Sequence, residues 1–201
     1  MAETPSTMLA LGTKAAPFSL PDVVLGKTIS LNTFAGKKAL LVMFLSRHCP
    51  FVQHIKKELA RLGREYAQKD IGIVAISSND AVNYPDDAPA SLNIMATEEG
   101  FVFPVCYDEA QHVAKAYTAA CTPDIFLFGP DRTLVYRGQL DESRPGNGKP
   151  VTGNNLRAAI EAVLAGTSVN PNQRPSIGCN IKWKKGQEPA YFGAGVSAGK
   201  K

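Results

Sequence analysis

Six apolar residues in a row, Leu40 to Leu45, run straight into Ser46-Arg-His-Cys-Pro50, and an amphipathic pattern begins at once behind them. No other stretch restricts the fold as much. An uncharged run of this length is a strand covered on both faces. Apolar residues at Phe51, Ile55, Leu59, Leu62 and Tyr66 then recur at helical spacing and form one buried face. Lys56, Lys57, Arg61, Arg64 and Lys69 line the wet side. Pro50 suits the first helical turn, where a missing N–H is no loss. Cys49 therefore stands at a helix N-terminus at the end of a core strand, where a thiol is most easily ionised. Open sheets place their sites in such positions. His48 and Arg47, next to it, are candidate sources of positive charge.

Ile71 to Ser77 reads as a second buried strand, so strand, helix and strand make a right-handed parallel unit. Ahead of it, Ala15 to Leu20 and Thr28 to Leu31 pair as a hairpin across Gly26-Lys27. Behind it come a loop rich in Asn, Asp and Pro and a helix capped by Ser91. An extended piece follows over Phe103 to Tyr107, then a helix over Glu109 to Tyr117. Ile125 to Phe128 and Leu134 to Arg137 form a hairpin around Gly129-Pro-Asp-Arg132. Asn154 caps a last helix that ends at Gly166. The fold class expected is α/β, a mixed central sheet with helices on both faces and an N-terminal hairpin extension. The expected organisation is a loose N-terminus over 1–14, a single domain over 15–166, and an arm over 167–201. That arm packs back through Ile177, Ile181 and Trp183 and frays at its end.

The net charge of +4 is matched by the last segment alone, where five lysines after Cys179 meet only Glu188. A neutral body with a short basic tail argues against a nucleic-acid protein. No apolar run approaches a membrane span and no signal peptide is recognisable, so the cytoplasm is the expected compartment. Its reducing conditions favour free or catalytic cysteines over structural disulfides.

A Cys-x-x-Cys site would need cysteine at position 52, which is Val52. Cys49 therefore acts alone or is resolved from a distance. Cys121, in Ala120-Cys-Thr-Pro-Asp124, is the first candidate; Thr122-Pro123 entering a strand is a natural cis bond. Cys179, in the arm, is the second, and Cys106 reads as core. No compact zinc pattern exists, so neither a metal nor another cofactor is expected; a copper(I) set of His48, Cys49 and Cys121 is the alternative. Asp86-Asp87 and Asp141-Glu142 read as solvated or capping loop carboxylates.

Several segments together resemble the thioredoxin-like superfamily, in particular the peroxiredoxin-like group of AhpC/TSA-related thioredoxin family proteins common in bacteria. They are Ala15-Ala-Pro-Phe-Ser-Leu-Pro-Asp22, His48-Cys-Pro-Phe-Val52, Ser78-Asn-Asp80, the run from Asp108 to Tyr117, Cys121-Thr-Pro-Asp124, Tyr136-Arg-Gly-Gln-Leu-Asp141 and Pro175-Ser-Ile-Gly-Cys-Asn-Ile-Lys-Trp183. The resemblance implies a thioredoxin fold with Cys49 as nucleophile. Pro123 would be the cis-proline lying against it, and Ser46, His48, Pro50 and Thr122 would shape the site. Three departures stand out. Val52 replaces the second thioredoxin cysteine. Val42 stands where a typical peroxiredoxin, with Ser46 at its hydroxyl position, has proline. No arginine lies beside Thr122-Pro123.

The function expected is a thiol-disulfide oxidoreductase with one nucleophilic cysteine. Its partners would be a protein or small-molecule disulfide or a hydroperoxide, with thioredoxin or glutathione as reductant. A thiol-dependent peroxidase is the second expectation, and a non-catalytic module that holds a partner protein or copper is the third.

Overall fold

The computed structural model describes residues 3–193. Every residue of the apolar run is buried because both faces of its strand are covered. In β4 (Ala39–Phe44), Ala39, Leu41 and Met43 enter one core, while Leu40, Val42 and Phe44 enter the other. This is the period-two alternation of a strand, hidden in the sequence because neither side is wet.

The strands around it, in chain order, are β5 (Ile71–Ser77), β6 (Val105–Tyr107), β8 (Asp124–Phe128) and β9 (Leu134–Arg137). They form a five-stranded sheet in the order β6-β5-β4-β8-β9. β4, β5 and β6 run parallel, and β8 and β9 are antiparallel additions. The α/β mixed sheet read from the sequence is therefore correct. Helices α1 (Pro50–Tyr66), α2 (Pro89–Glu99) and α4 (Asn154–Leu164) pack on the first core. The second core is covered by α3 (His112–Ala116), by Phe18, Leu20 and Phe34 near the N-terminus, and by Ile181 and Trp183.

A hairpin of β2 (Ser19–Pro21) and β3 (Thr28–Ser30) precedes the sheet. A separate three-stranded sheet joins β1 (Glu3–Pro5), β10 (Ile177–Asn180) and β7 (Cys121–Thr122), with β10 in the middle. The loose N-terminus expected over 1–14 is thus not found from residue 3 onward. Glu3–Pro5 pairs with β10, Thr4 and Ser6 are buried, and the Ser6 N–H donates to the Ser176 carbonyl at 2.9 Å. A polar sequence hid this because its partner strand lies at the other end of the chain. The frayed end of the arm and Lys200 and Lys201 fall outside the described residues.

Local boundaries also shift. Ala88, not Ser91, precedes α2, because Pro89 supplies the first turn. Gly153 at φ 66° takes the cap position expected for Asn154. The helix expected from Glu109 is shortened to α3 because Gln111 adopts φ 60° before it. There the Asp108 carboxylate accepts the Val113 and Ala114 N–H groups at 3.1 and 3.0 Å. Among the described residues no helix is long and apolar enough to cross a membrane.

Candidate active site

Cys49 is the N-cap of α1, with Pro50 in the first turn. Its side chain has no exposed surface. Protonated, the Cys49 thiol donates to the Thr122 carbonyl at 3.0 Å. Ionised, the sulfur meets a ring of donors: the Cys179 thiol, the Thr122 hydroxyl, and the N–H groups of Val52 and Cys179. These hold the Cys49 thiol down to about 5 against the opposing effect of burial, the Cys179 hydrogen bond contributing most. Cys179 moves the opposite way, first because its proton serves Cys49 and then because it is itself buried. The charge settles on Cys49 because that sulfur faces the start of α1, where N–H groups lack helical acceptors. The Thr122 hydroxyl oxygen is buried and has no hydrogen-bond partner among the described residues, which leaves its proton free to turn toward a thiolate.

The thiolate is therefore held mainly by hydrogen bonds, and the Arg47 guanidinium is paired elsewhere. It lies 3.6 Å from Asp86. The His48 Nδ1 lies 2.7 Å from an Asp87 carboxylate oxygen. That hydrogen bond raises the imidazole above its ordinary value, outweighing burial. Asp87 is wholly buried, against the expectation of a solvated loop carboxylate. Burial pushes it up, but donors from His48, Asn79 and Ser46 more than offset that and leave it below the ordinary range. Nothing local in a Pro-Asp-Asp turn announces such a role. Asp141, by contrast, caps as expected, accepting the Thr152 and Gly153 N–H groups at 2.6 Å each at the start of α4.

The two candidate resolving cysteines lie on opposite sides of the paired strands. Cys179 pairs with Thr122 in the β10–β7 register, whereas Cys121 pairs with Asn180. Neighbours along a strand point to opposite sides, so Thr122 and Cys179 share the side that faces Cys49 and Cys121 turns away. Its thiol points back to the Pro123 carbonyl at 3.5 Å, and full burial raises it well above the ordinary thiol range. Thr122-Pro123 is a cis bond. Ser46 reaches Asp87 rather than Cys49, at 2.9 Å. Cys106 lies in the second core, as expected. No group of three or more His, Cys, Asp or Glu side chains able to hold a metal occurs among the described residues, so His48, Cys49 and Cys121 do not assemble the copper set.

The model of the AhpC/TSA family matches residues 11–137. The chain belongs to the AhpC/TSA family. That places it among the thioredoxin-like redox proteins, and the match spans Cys49, Cys121 and Pro123 while Cys179 lies beyond it. Among solved structures, a conserved protein of Geobacillus kaustophilus is 50% identical with TM-score 0.90, covering 92% of this chain and 98% of that one. A protein of Sinorhizobium meliloti 1021 is also 50% identical, with TM-score 0.89 over 91% of this chain and 100% of that one. The thioredoxin domain of a thiol-disulfide oxidoreductase from Bacteroides vulgatus shares the fold at 22% identity and TM-score 0.55, covering 65% of this chain and 89% of that one. No curated protein matches the chain.

Proposed function

We propose that this AhpC/TSA family member is a thiol-disulfide oxidoreductase in which Cys49 is the nucleophile and Cys179 the resolving thiol. The observation that carries the reading is the register that sets Cys179 opposite Thr122, whose carbonyl accepts from the Cys49 thiol, with Cys49 lowered and Cys179 raised. A thiolate attacks a disulfide and a neutral thiol waits to displace the product. The Cys49 sulfur attacks one sulfur of a substrate disulfide, forms a mixed disulfide and expels the first thiolate, which takes a proton. Cys179 then loses its proton and attacks the Cys49 sulfur, and the second substrate thiolate leaves. The substrate gains two electrons and the chain holds a Cys49–Cys179 disulfide. An external dithiol or glutathione, in a reducing compartment such as the cytoplasm, restores both thiols. Oxidation with a mild disulfide followed by peptide mass mapping tests this. The expected product is the Cys49–Cys179 disulfide, lost in Cys49→Ser and in Cys179→Ser; a Cys49–Cys121 disulfide or none overturns it.

One observation favours a second reading, thiol-dependent peroxidase. Cys49 has no exposed surface, which suits a small oxidant better than a protein disulfide. The thiolate would attack a hydroperoxide oxygen, releasing the alcohol or water and leaving a sulfenic acid, which Cys179 would condense to the same disulfide with loss of water. Val42, and a sequence with no arginine adjoining Thr122-Pro123, depart from the pattern that typically holds the peroxide, so slow turnover is expected. Hydroperoxide consumption lost in Cys49→Ser separates this reading from the first.

A further inference from the structure

Asp87 ends the short 3-10 turn Pro85–Asp87, and its buried carboxylate meets four donors. The Ser46 hydroxyl donates at 2.9 Å, the Arg47 N–H at 2.6 Å, the His48 Nδ1–H at 2.7 Å and the Asn79 amide at 2.6 Å. Three of these come from the consecutive residues that lead into Cys49. The fourth, Asn79, accepts the Lys182 N–H at 2.8 Å and so ties the carboxylate to the arm that carries Cys179. A buried carboxylate this well supplied is stable in place. Among the described residues its only ion-pair partner is His48. A carboxylate serving only to close a Pro-rich loop would not need an imidazole.

We propose that Asp87 is a positioning residue for Cys49, fixing the segment Ser46–His48 that leads into the nucleophile and holding the His48 imidazole with its Nδ1–H on the carboxylate. The proposal deepens the oxidoreductase reading and rests on Cys49 being the reactive thiol. The ring is confined from the other sides as well. Tyr84 stacks on it with centroids 5.6 Å apart. Lys182, from the arm, is the opposing cation, and its ammonium lies over the Tyr84 ring at 5.8 Å. Arg47 is turned to Asp86, and a Cys49 thiolate adds a smaller pull toward the charged imidazole. With Asp87 ionised, the favoured form is an imidazolium next to a thiolate. In Asp87→Asn the amide can still hydrogen-bond Nδ1, but a neutral ring is then preferred.

The test is read on reduced protein, in which His48 is followed by NMR and Cys49 by alkylation against pH. Asp87→Asn is expected to lower the His48 titration midpoint and to raise the Cys49 midpoint by about one pH unit, tenfold in thiolate fraction. His48→Gln keeps the carboxylate and should give the same rise, and it decides the matter if Asp87→Asn does not fold. An unchanged Cys49 midpoint in His48→Gln, or in a folded Asp87→Asn whatever its thermal stability, overturns the proposal. The oxidoreductase reading fails separately, if oxidised wild-type protein contains no Cys49–Cys179 disulfide.

Discussion

Cys49 owes its acidity to neighbours that donate hydrogen bonds to its thiolate, which makes its titration the most direct measurement on the molecule. Alkylation of the reduced protein should show one thiol with a midpoint far below the ordinary value of about 8.5. Cys179→Ala, which removes the largest contribution, should move that midpoint upward; no movement would mean that the helix start alone suffices. Asp124, directly behind Pro123, shows the opposite effect. Burial lifts its carboxyl to about 7, only partly countered by the Ala120 N–H and the Ser6 hydroxyl, and its Oδ1 has no partner among the described residues. A folded value above the unfolded one, about 3.9, means that the native state binds more protons between about pH 4 and 7. This contribution to stability is complete below pH 4 and is lost as pH rises through 7. Urea denaturation should therefore show Asp124→Asn gaining on the wild type between pH 4.5 and 7.5; parallel curves would assign the slope to other groups.

At the scale of elements, β10 decides what can reach the nucleophile. It lies between β1 and β7 and covers Cys49 with a strand whose own cysteine is 3% exposed. Its fit depends on Gly178. A Cβ there would stand 1.9 Å from the Thr122 carbonyl oxygen, a backbone atom that cannot swing aside. Gly178→Ala should therefore push β10 off β7, slow formation of the Cys49–Cys179 disulfide and speed the reaction of Cys49 with a bulky maleimide. Equal maleimide rates in variant and wild type would show that β10 is no cover. The same elements show why the site was only half legible. The β4–α1 junction is a local pattern, read from adjacent residues. We propose Cys179 over Cys121 because strand pairing turns Thr122 and Cys179 to one side, and register between distant strands leaves no mark in a single sequence.

On the scale of the molecule, two cores share one sheet. Leu40 and Leu41 are adjacent in sequence, fully buried, and belong to opposite cores. Each truncation to alanine should cost about 2–5 kcal/mol in denaturant unfolding; a cheap Leu40→Ala would mean that the face covered by the N-terminal hairpin and the arm is weakly packed. By itself the sequence determined the α/β class, the central strand, the helix behind Cys49 and the place of that cysteine at its start, because hydrophobic period and helix-start chemistry act over neighbouring residues. Only the tertiary structure decided that the polar N-terminus is a strand, that Asp87 is buried against His48, and on which side of the paired strands Cys121 and Cys179 lie. Those depend on contacts between segments far apart in the chain, where burial and register are properties of the assembled fold.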